Sequence, residues 1–121
     1  MAEYRVMQIS KDAVLLRIFC GEDDTFDQQR LYEAIVLKAR QMHLSGATVL
    51  RGPMGYGHAS TTKILGRSFE RALVVEIVDT EIKIKEFLPV LDQMMSGGLV
   101  TLEKVQVLKR LGSLKERAGF P

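Results

Sequence analysis

Cysteine is nearly absent from this sequence, Cys20 being the only one in 121 residues. One thiol excludes an intrachain disulfide framework and a thiolate metal cluster. Cys20 also lies in an apolar run, where a thiol packs as a small buried hydrophobe rather than acting as a nucleophile. Charge of one sign is lacking as well. Seventeen Lys and Arg against 15 Asp and Glu leave a net +2, too small and too dispersed to mark a nucleic-acid partner. No apolar run reaches the roughly 18 residues needed to cross a bilayer, and the N-terminus lacks the apolar core of a signal peptide. The chain therefore reads as cytoplasmic, without membrane insertion. Internal repeats and linkers are missing too, so residues 1–121 read as one domain with its core at about 13–109. An apolar share of 46% and a charged share of 26% are ordinary for such a domain.

What is present is an alternation of strand and helix patterns. Residues 13–20, Ala-Val-Leu-Leu-Arg-Ile-Phe-Cys, are a short apolar strand that runs into Gly21. Residues 4–9 are a weaker candidate for an edge strand. Gly21-Glu-Asp-Asp24 places three carboxylates on a turn, where they suit the start of a helix. Metal binding there lacks a histidine or further acid to complete it. Thr25-Phe-Asp-Gln28 has capping-box spacing, and Leu31, Ala34, Ile35, Ala39 and Met42 recur at helical period. Together they predict a helix over 26–44, stopped by Gly46, with His43 offsetting the dipole at its end. A strand follows at 47–51. Residues 71–78 give another, and Asp79-Thr80-Glu81 caps a second helix carrying Ile84, Phe87, Leu88, Leu91 and Met95. Pro89 inside that pattern predicts a kink or two short helices. Residues 99–108 read as the last strand, with a bulge where alternation slips between Leu102 and Val105. A polar tail, 111–121, closes the chain.

The order β-α-β-β-α-β predicts an α+β sandwich of ferredoxin-like topology, an antiparallel sheet with both helices on one face. A sheet whose second face meets water should alternate apolar with polar. Here Val14, Leu16 and Ile18 alternate with Leu15, Arg17 and Phe19, and Ala72, Val74 and Val78 alternate with Leu73, Val75 and Ile77. Both faces are apolar apart from Arg17 and Glu76. The bare face predicts a partner subunit, with Arg17 and Glu76 pairing inside the interface. The alternative is cover by the N-terminal segment and the tail.

The candidate ligand site is the stretch 47–58, Ala-Thr-Val-Leu-Arg-Gly-Pro-Met-Gly-Tyr-Gly-His. Gly52, Gly55 and Gly57 permit positive φ and close approach of a ligand. Consecutive N–H groups in such a turn form an anion-binding nest, to which Lys63 and Arg67 can add charge. His58 beside Gly57 reads as a hydrogen-bonding loop residue rather than a base.

Several of these motifs resemble the PII nitrogen-regulatory proteins. Gly55-Tyr-Gly57 sits at the strand–loop junction and Glu76-Ile-Val78 precedes the second helix. Leu31-Tyr-Glu-Ala-Ile35, Gly46-Ala-Thr-Val49, Arg51-Gly-Pro-Met-Gly-Tyr-Gly57, Val75-Glu-Ile-Val-Asp79 and Gly98-Leu-Val-Thr-Leu-Glu-Lys-Val105 more closely resemble a small PII-like family catalogued as a domain of unknown function. The likeness covers about residues 13–109. It implies a homotrimer with an adenine nucleotide in each intersubunit cleft, signalling through the loop after the second sheet strand to an unidentified protein target. Gly55, Tyr56, Gly57, Thr48, Glu76 and Val78 carry over from the resemblance, and with Arg51, Gly52, His58, Lys63 and Thr101 they make up the candidate ligand-binding set, with no catalytic or metal-binding residue. Thr48 matches a position facing the base from the neighbouring subunit. PII proteins follow their second helix with Gly-Asp-Gly-Lys, whereas Val100-Thr101-Leu102-Glu103 stands here. A glutamate where a lysine would meet a triphosphate favours AMP or ADP over ATP. Two other readings stand beside this one, an oligomerisation scaffold without a ligand and, behind it, a small enzyme.

Overall fold

A computed structural model describes residues 5–6, 13–55, 71–108 and 111–112. In chain order the elements are β1 (Arg5–Val6), β2 (Ala13–Gly21), β3 (Thr25–Phe26), β4 (Gln29–Arg30), α1 (Leu31–Gln41), β5 (Thr48–Arg51), β6 (Ala72–Thr80), α2 (Glu81–Met94), β7 (Leu99–Lys104) and β8 (Leu111–Gly112). Four of the strands form one antiparallel sheet in the order β5-β6-β2-β7. Each helix crosses over to a strand one place removed, which is the split β-α-β arrangement predicted for a ferredoxin-like α+β fold.

The core lies between one sheet face and the two helices. Leu16, Ile18, Leu73, Val75 and Ile77 meet Leu31, Ile35, Ile84, Phe87 and Leu91, all buried. Alternation along β2 and β6 sends Leu15, Arg17, Phe19, Val74, Glu76 and Val78 to the opposite face. Cys20 is buried on the helix side, where desolvation, with a smaller contribution from Asp24, pushes its thiol up to about 11.

Several predicted boundaries are corrected. α1 begins at Leu31, because residues 25–30 form a two-residue hairpin with Asp27 and Gln28 at φ 53° and 67°. Both central residues of a two-residue hairpin loop can take positive φ, and aspartate tolerates it. Thr25 therefore pairs with Arg30 instead of capping, and the carbonyl of Asp24 accepts from Leu31 N at 2.8 Å. α1 also ends earlier than Gly46. His43 adopts φ 62°, His43 N donates to Arg40 O at 3.0 Å and Leu44 N to Ala39 O at 3.0 Å. These are the two bonds of a Schellman stop with His43 in the left-handed position. Lys83 Nζ donates to His43 O at 3.0 Å and so caps this end. Because a Cβ is disfavoured there, His43→Gly is expected to raise stability by about 0.5–1 kcal/mol, read as a shifted urea midpoint at unchanged slope.

α2 runs as one helix through Pro89 rather than as two, and Thr80 Oγ1 caps it by accepting from Lys83 N at 3.2 Å. β7 keeps an unbroken register with β2 from Leu99 to Lys104 and carries no bulge. The slip in alternation marks the strand's end instead, where Val105 N still donates to Ala13 O at 3.1 Å. Of the predicted N-terminal strand, Arg5–Val6 pair with Leu111–Gly112, apart from the main sheet, and residues 4 and 7–9 lie outside the described residues. No helix among the described residues is long and apolar enough to cross a membrane.

Candidate functional site

The open sheet face is built in rows that follow from the register. Thr48 pairs with Glu76, Glu76 with Arg17, and Arg17 with Thr101, so these four residues cross the sheet in a single line. One row towards the loop end stand Leu50, Val74, Phe19 and Leu99; one row the other way stand Val78, Leu15 and Glu103. A polar line thus runs between the apolar row Leu50–Val74–Phe19–Leu99 and the row Val78–Leu15–Glu103, on the face turned away from α1 and α2. Leu50, Val78 and Leu99 remain 47%, 38% and 56% exposed.

Arg17 is the hub of the polar line. Its Nε donates to Glu76 Oε2 at 2.9 Å and its Nη1 to Glu103 Oε1 at 2.9 Å. The bond to Glu76, followed by that to Glu103, raises the guanidinium pKa against the lowering effect of desolvation. The pairing of Arg17 with Glu76 is therefore made within one chain and needs no partner subunit. With Glu103 added, the cluster carries two carboxylates for one guanidinium.

At the loop end of the sheet, Gly52 N donates to Ala72 O at 2.8 Å, extending the β5–β6 ladder by one residue. A Cβ on Gly55 would stand 3.1 Å from the Cβ of Ala72, so the chain passes β6 too closely for a larger residue to fit without a shift. The expected positive φ is not found at Gly52 or Gly55; among the described glycines Gly98 has it, at 118°. Close approach calls for glycine at Gly55, whereas a Cβ on Gly52 would meet Ala72 at an ordinary 3.6 Å. Arg51 is bound at both ends of its fork, Nη2 donating to Glu22 Oε2 at 2.8 Å and Nε to Glu22 Oε1 at 3.3 Å. Arg71 Nη1 reaches the same carboxylate at 3.5 Å.

The carboxylates of the 21–24 turn are thus engaged. Glu22 serves Arg51 and Arg71, Asp23 pairs with Arg30 Nη1 at 3.1 Å, and Asp24 Oδ2 accepts from Gly21 N at 2.9 Å. Among the described residues no three His, Cys, Asp or Glu converge on a metal position.

Thr48, Glu76, Val78 and Thr101 of the predicted set therefore share the open face. Arg51, Gly52 and Gly55 stand at the strand end instead. Tyr56, Gly57, His58, Lys63 and Arg67 lie outside the described residues. Val100–Glu103 are ladder residues of β7, facing β2, and not a loop. The contacts of Glu22 with Arg51 and Arg71 and of Glu103 with Arg17 were not foreseen, since nothing in the local sequence links positions so distant along the chain. A separate groove of about 670 Å³ lies between α2 and β7, lined by Leu88, Leu91, Asp92, Met95 and Val100 among others. It contains no residue of the predicted set.

Comparison with known proteins agrees with this architecture. Residues 13–107 match the model of the DUF190 family, described as "Uncharacterized ACR, COG1993". The UPF0166 protein of Aquifex aeolicus is 39% identical over 97 residues, covering 78% of this chain and 91% of that protein. UPF0166 protein MJ1524 of Methanocaldococcus jannaschii is 31% identical over 100 residues, covering 80% of this chain and 93% of the relative. Among solved structures, a phage SAM lyase in complex with S-methyl-5'-thioadenosine aligns with a TM-score of 0.51. It is 15% identical and covers 90% of this chain and 95% of its own, a likeness of fold alone. None of these descriptions refers to nitrogen regulation; the match is to the small family of unknown function.

Proposed function

The chain belongs to the DUF190 family, and from that membership we propose that it is a regulatory ligand-binding protein of PII-like design. In this reading three copies close over their open sheet faces. Each intersubunit cleft holds a nucleoside ligand, an adenine nucleotide with few phosphates, near Thr48, Glu76, Val78 and the glycine stem at Gly52–Gly55. The segment after β5 presents the bound state to a protein target.

The observation that carries the proposal is the open face, where a polar line with Thr48 and Glu76 runs beside the apolar row Leu50–Val74–Phe19–Leu99. Such a face gains by being covered, and the polar line gives the cover a register. A ligand held between subunits would be coupled to their assembly by mass action. The phage lyase supports the choice of ligand by analogy, since a ferredoxin-like sheet there accompanies a thioadenosine. Placing Val100–Glu103 in a strand supports a ligand with little phosphate, because backbone groups spent on a ladder do not cradle a triphosphate. A binder rather than a catalyst fits the thiol of Cys20, buried and pushed up to about 11, and the engaged carboxylates of the 21–24 turn.

Thermal unfolding against AMP, ADP, ATP, cyclic nucleotides and 2-oxoglutarate, with mass measured in parallel, tests this. A ligand at about 100 times its Kd should stabilise the native protein by about 2.7 kcal/mol. Gly55→Val should remove that gain while leaving the assembly intact. A trimer indifferent to every compound would favour the scaffold reading, and a stable monomer would defeat the assembly on which the site depends.

A further inference from the structure

Among the described residues, Glu22 is the one carboxylate that joins two arginines from opposite ends of a long connection. Arg51 ends β5, Arg71 precedes β6, and both reach the Glu22 side chain, which is 14% exposed against 55% and 69% for the two arginines. The backbone around Glu22 is fixed independently of this contact. Glu22 N donates to Arg71 O at 2.9 Å, Asp24 N to Gly21 O at 3.2 Å, and Gly21 N to Asp24 Oδ2. The carboxylate can therefore turn away without the strand end moving.

Among the described residues Glu22 alone serves two guanidinium groups, those of Arg51 and Arg71, while Asp23 pairs with Arg30, Asp24 accepts from Gly21 N, and Arg30 also donates to Glu22 O at 3.0 Å. Each guanidinium offers five N–H donors, of which Glu22 takes two from Arg51 and, at the 3.5 Å limit, one from Arg71. A multiply charged tetrahedral oxyanion suits such a pair better than one carboxylate does, because it can accept a fork from each guanidinium and brings more charge.

We propose that Arg51 and Arg71 form an oxyanion site for a phosphate-class ligand, and that Glu22 is its resident internal anion, displaced when the ligand binds. The site differs from the nucleoside position on the open face. Arg51 lies one step out of phase with Thr48 and Leu50 along β5, and the ligand class needs no base. Glu22 then sets the threshold. It keeps the arginines paired in the empty protein and discriminates against single-charge anions, which would exchange one charge for one.

Inorganic pyrophosphate is the probe, titrated calorimetrically at low ionic strength into the wild type, Glu22→Gln, Arg71→Gln and the Arg51→Gln/Arg71→Gln pair. Removing the competing charge while keeping the side chain's shape should tighten binding about tenfold in Glu22→Gln. Arg71→Gln, at an exposed position, should weaken it severalfold, and the double variant should bind none. Pyrophosphate binding that is absent from both wild type and Glu22→Gln, or indifferent to the arginines, overturns the proposal. So does a Glu22→Gln protein that binds no tighter than wild type. If Glu22→Gln does not fold, the wild type and Arg71→Gln still decide. The nucleoside reading stands or falls separately, in a titration with adenosine, which carries the base and no phosphate.

Discussion

Gly98→Ala should destabilise the protein by about 2–4 kcal/mol, the sum of a backbone penalty and a collision. Gly98 holds φ at 118°, a conformation L side chains rarely adopt. A Cβ there would stand 2.6 Å from Met95 Cε and 2.9 Å from Phe19 O. The methionine end can swing aside. The carbonyl belongs to β2, whose residue Phe19 is paired with both Val74 and Leu99, so it can yield only by shifting the centre of the sheet. Gly46→Ala is the control, because nothing lies within 4 Å of its added carbon. Urea unfolding of both variants checks the prediction. Equal midpoints would mean that the α2–β7 turn relaxes freely and that Gly98 is not required.

Val74→Glu and Leu99→Glu should each reduce the proposed trimer to monomers. Both residues stand in the apolar row Leu50–Val74–Phe19–Leu99 of the open face. Closing subunits over that row would bury a carboxylate without a partner, at a cost of several kcal/mol per subunit. The polar line next to it offers no remedy, since Arg17 already serves Glu76 and Glu103. Ile82→Glu on α2 supplies the comparison, as this side chain is 68% exposed on the helix side. Light scattering of the three variants beside the wild type gives the answer. A row variant that keeps the wild-type mass would remove this face from the interface.

Where burial dictates sequence, the fold could be read in advance. The long apolar strands β2 and β6, the helical period of α1 and α2, and Thr80 as an N-cap all express a one-to-one match between pattern and environment. The boundaries that were misread are places where main chain acts in place of side chain. Thr25 and Gln28 have capping-box spacing, yet a carbonyl from Asp24 caps α1 and the pair is used in a hairpin. Gly46 looks like a stop, but His43 takes the left-handed position two residues after α1 ends. The candidate site divides in the same manner. Thr48, Glu76 and Thr101 entered the candidate set beside the family resemblance, and the strand register is what sets them in one line. The contact of Glu22 with Arg71 could not be read in advance, because their meeting depends on how a turn and two strand ends are stacked, and no local period encodes that.

The position of β2 in the sheet has a consequence for the newly made chain. β2 is the first strand of the sheet to be synthesised, and its two neighbours are β6 and β7. While a ribosome is still adding residues before Ala72, β2 has no strand to pair with, although α1 and β5 are already complete. Its nine residues are apolar on both sides except at Arg17, so an unpartnered ribbon of this kind is exposed throughout that interval. Pairings this distant in sequence close slowly, and unprotected strands attract one another in the meantime. Yield in a cell should therefore depend on chaperone capacity and translation speed over the middle of the message, even though the finished domain is small.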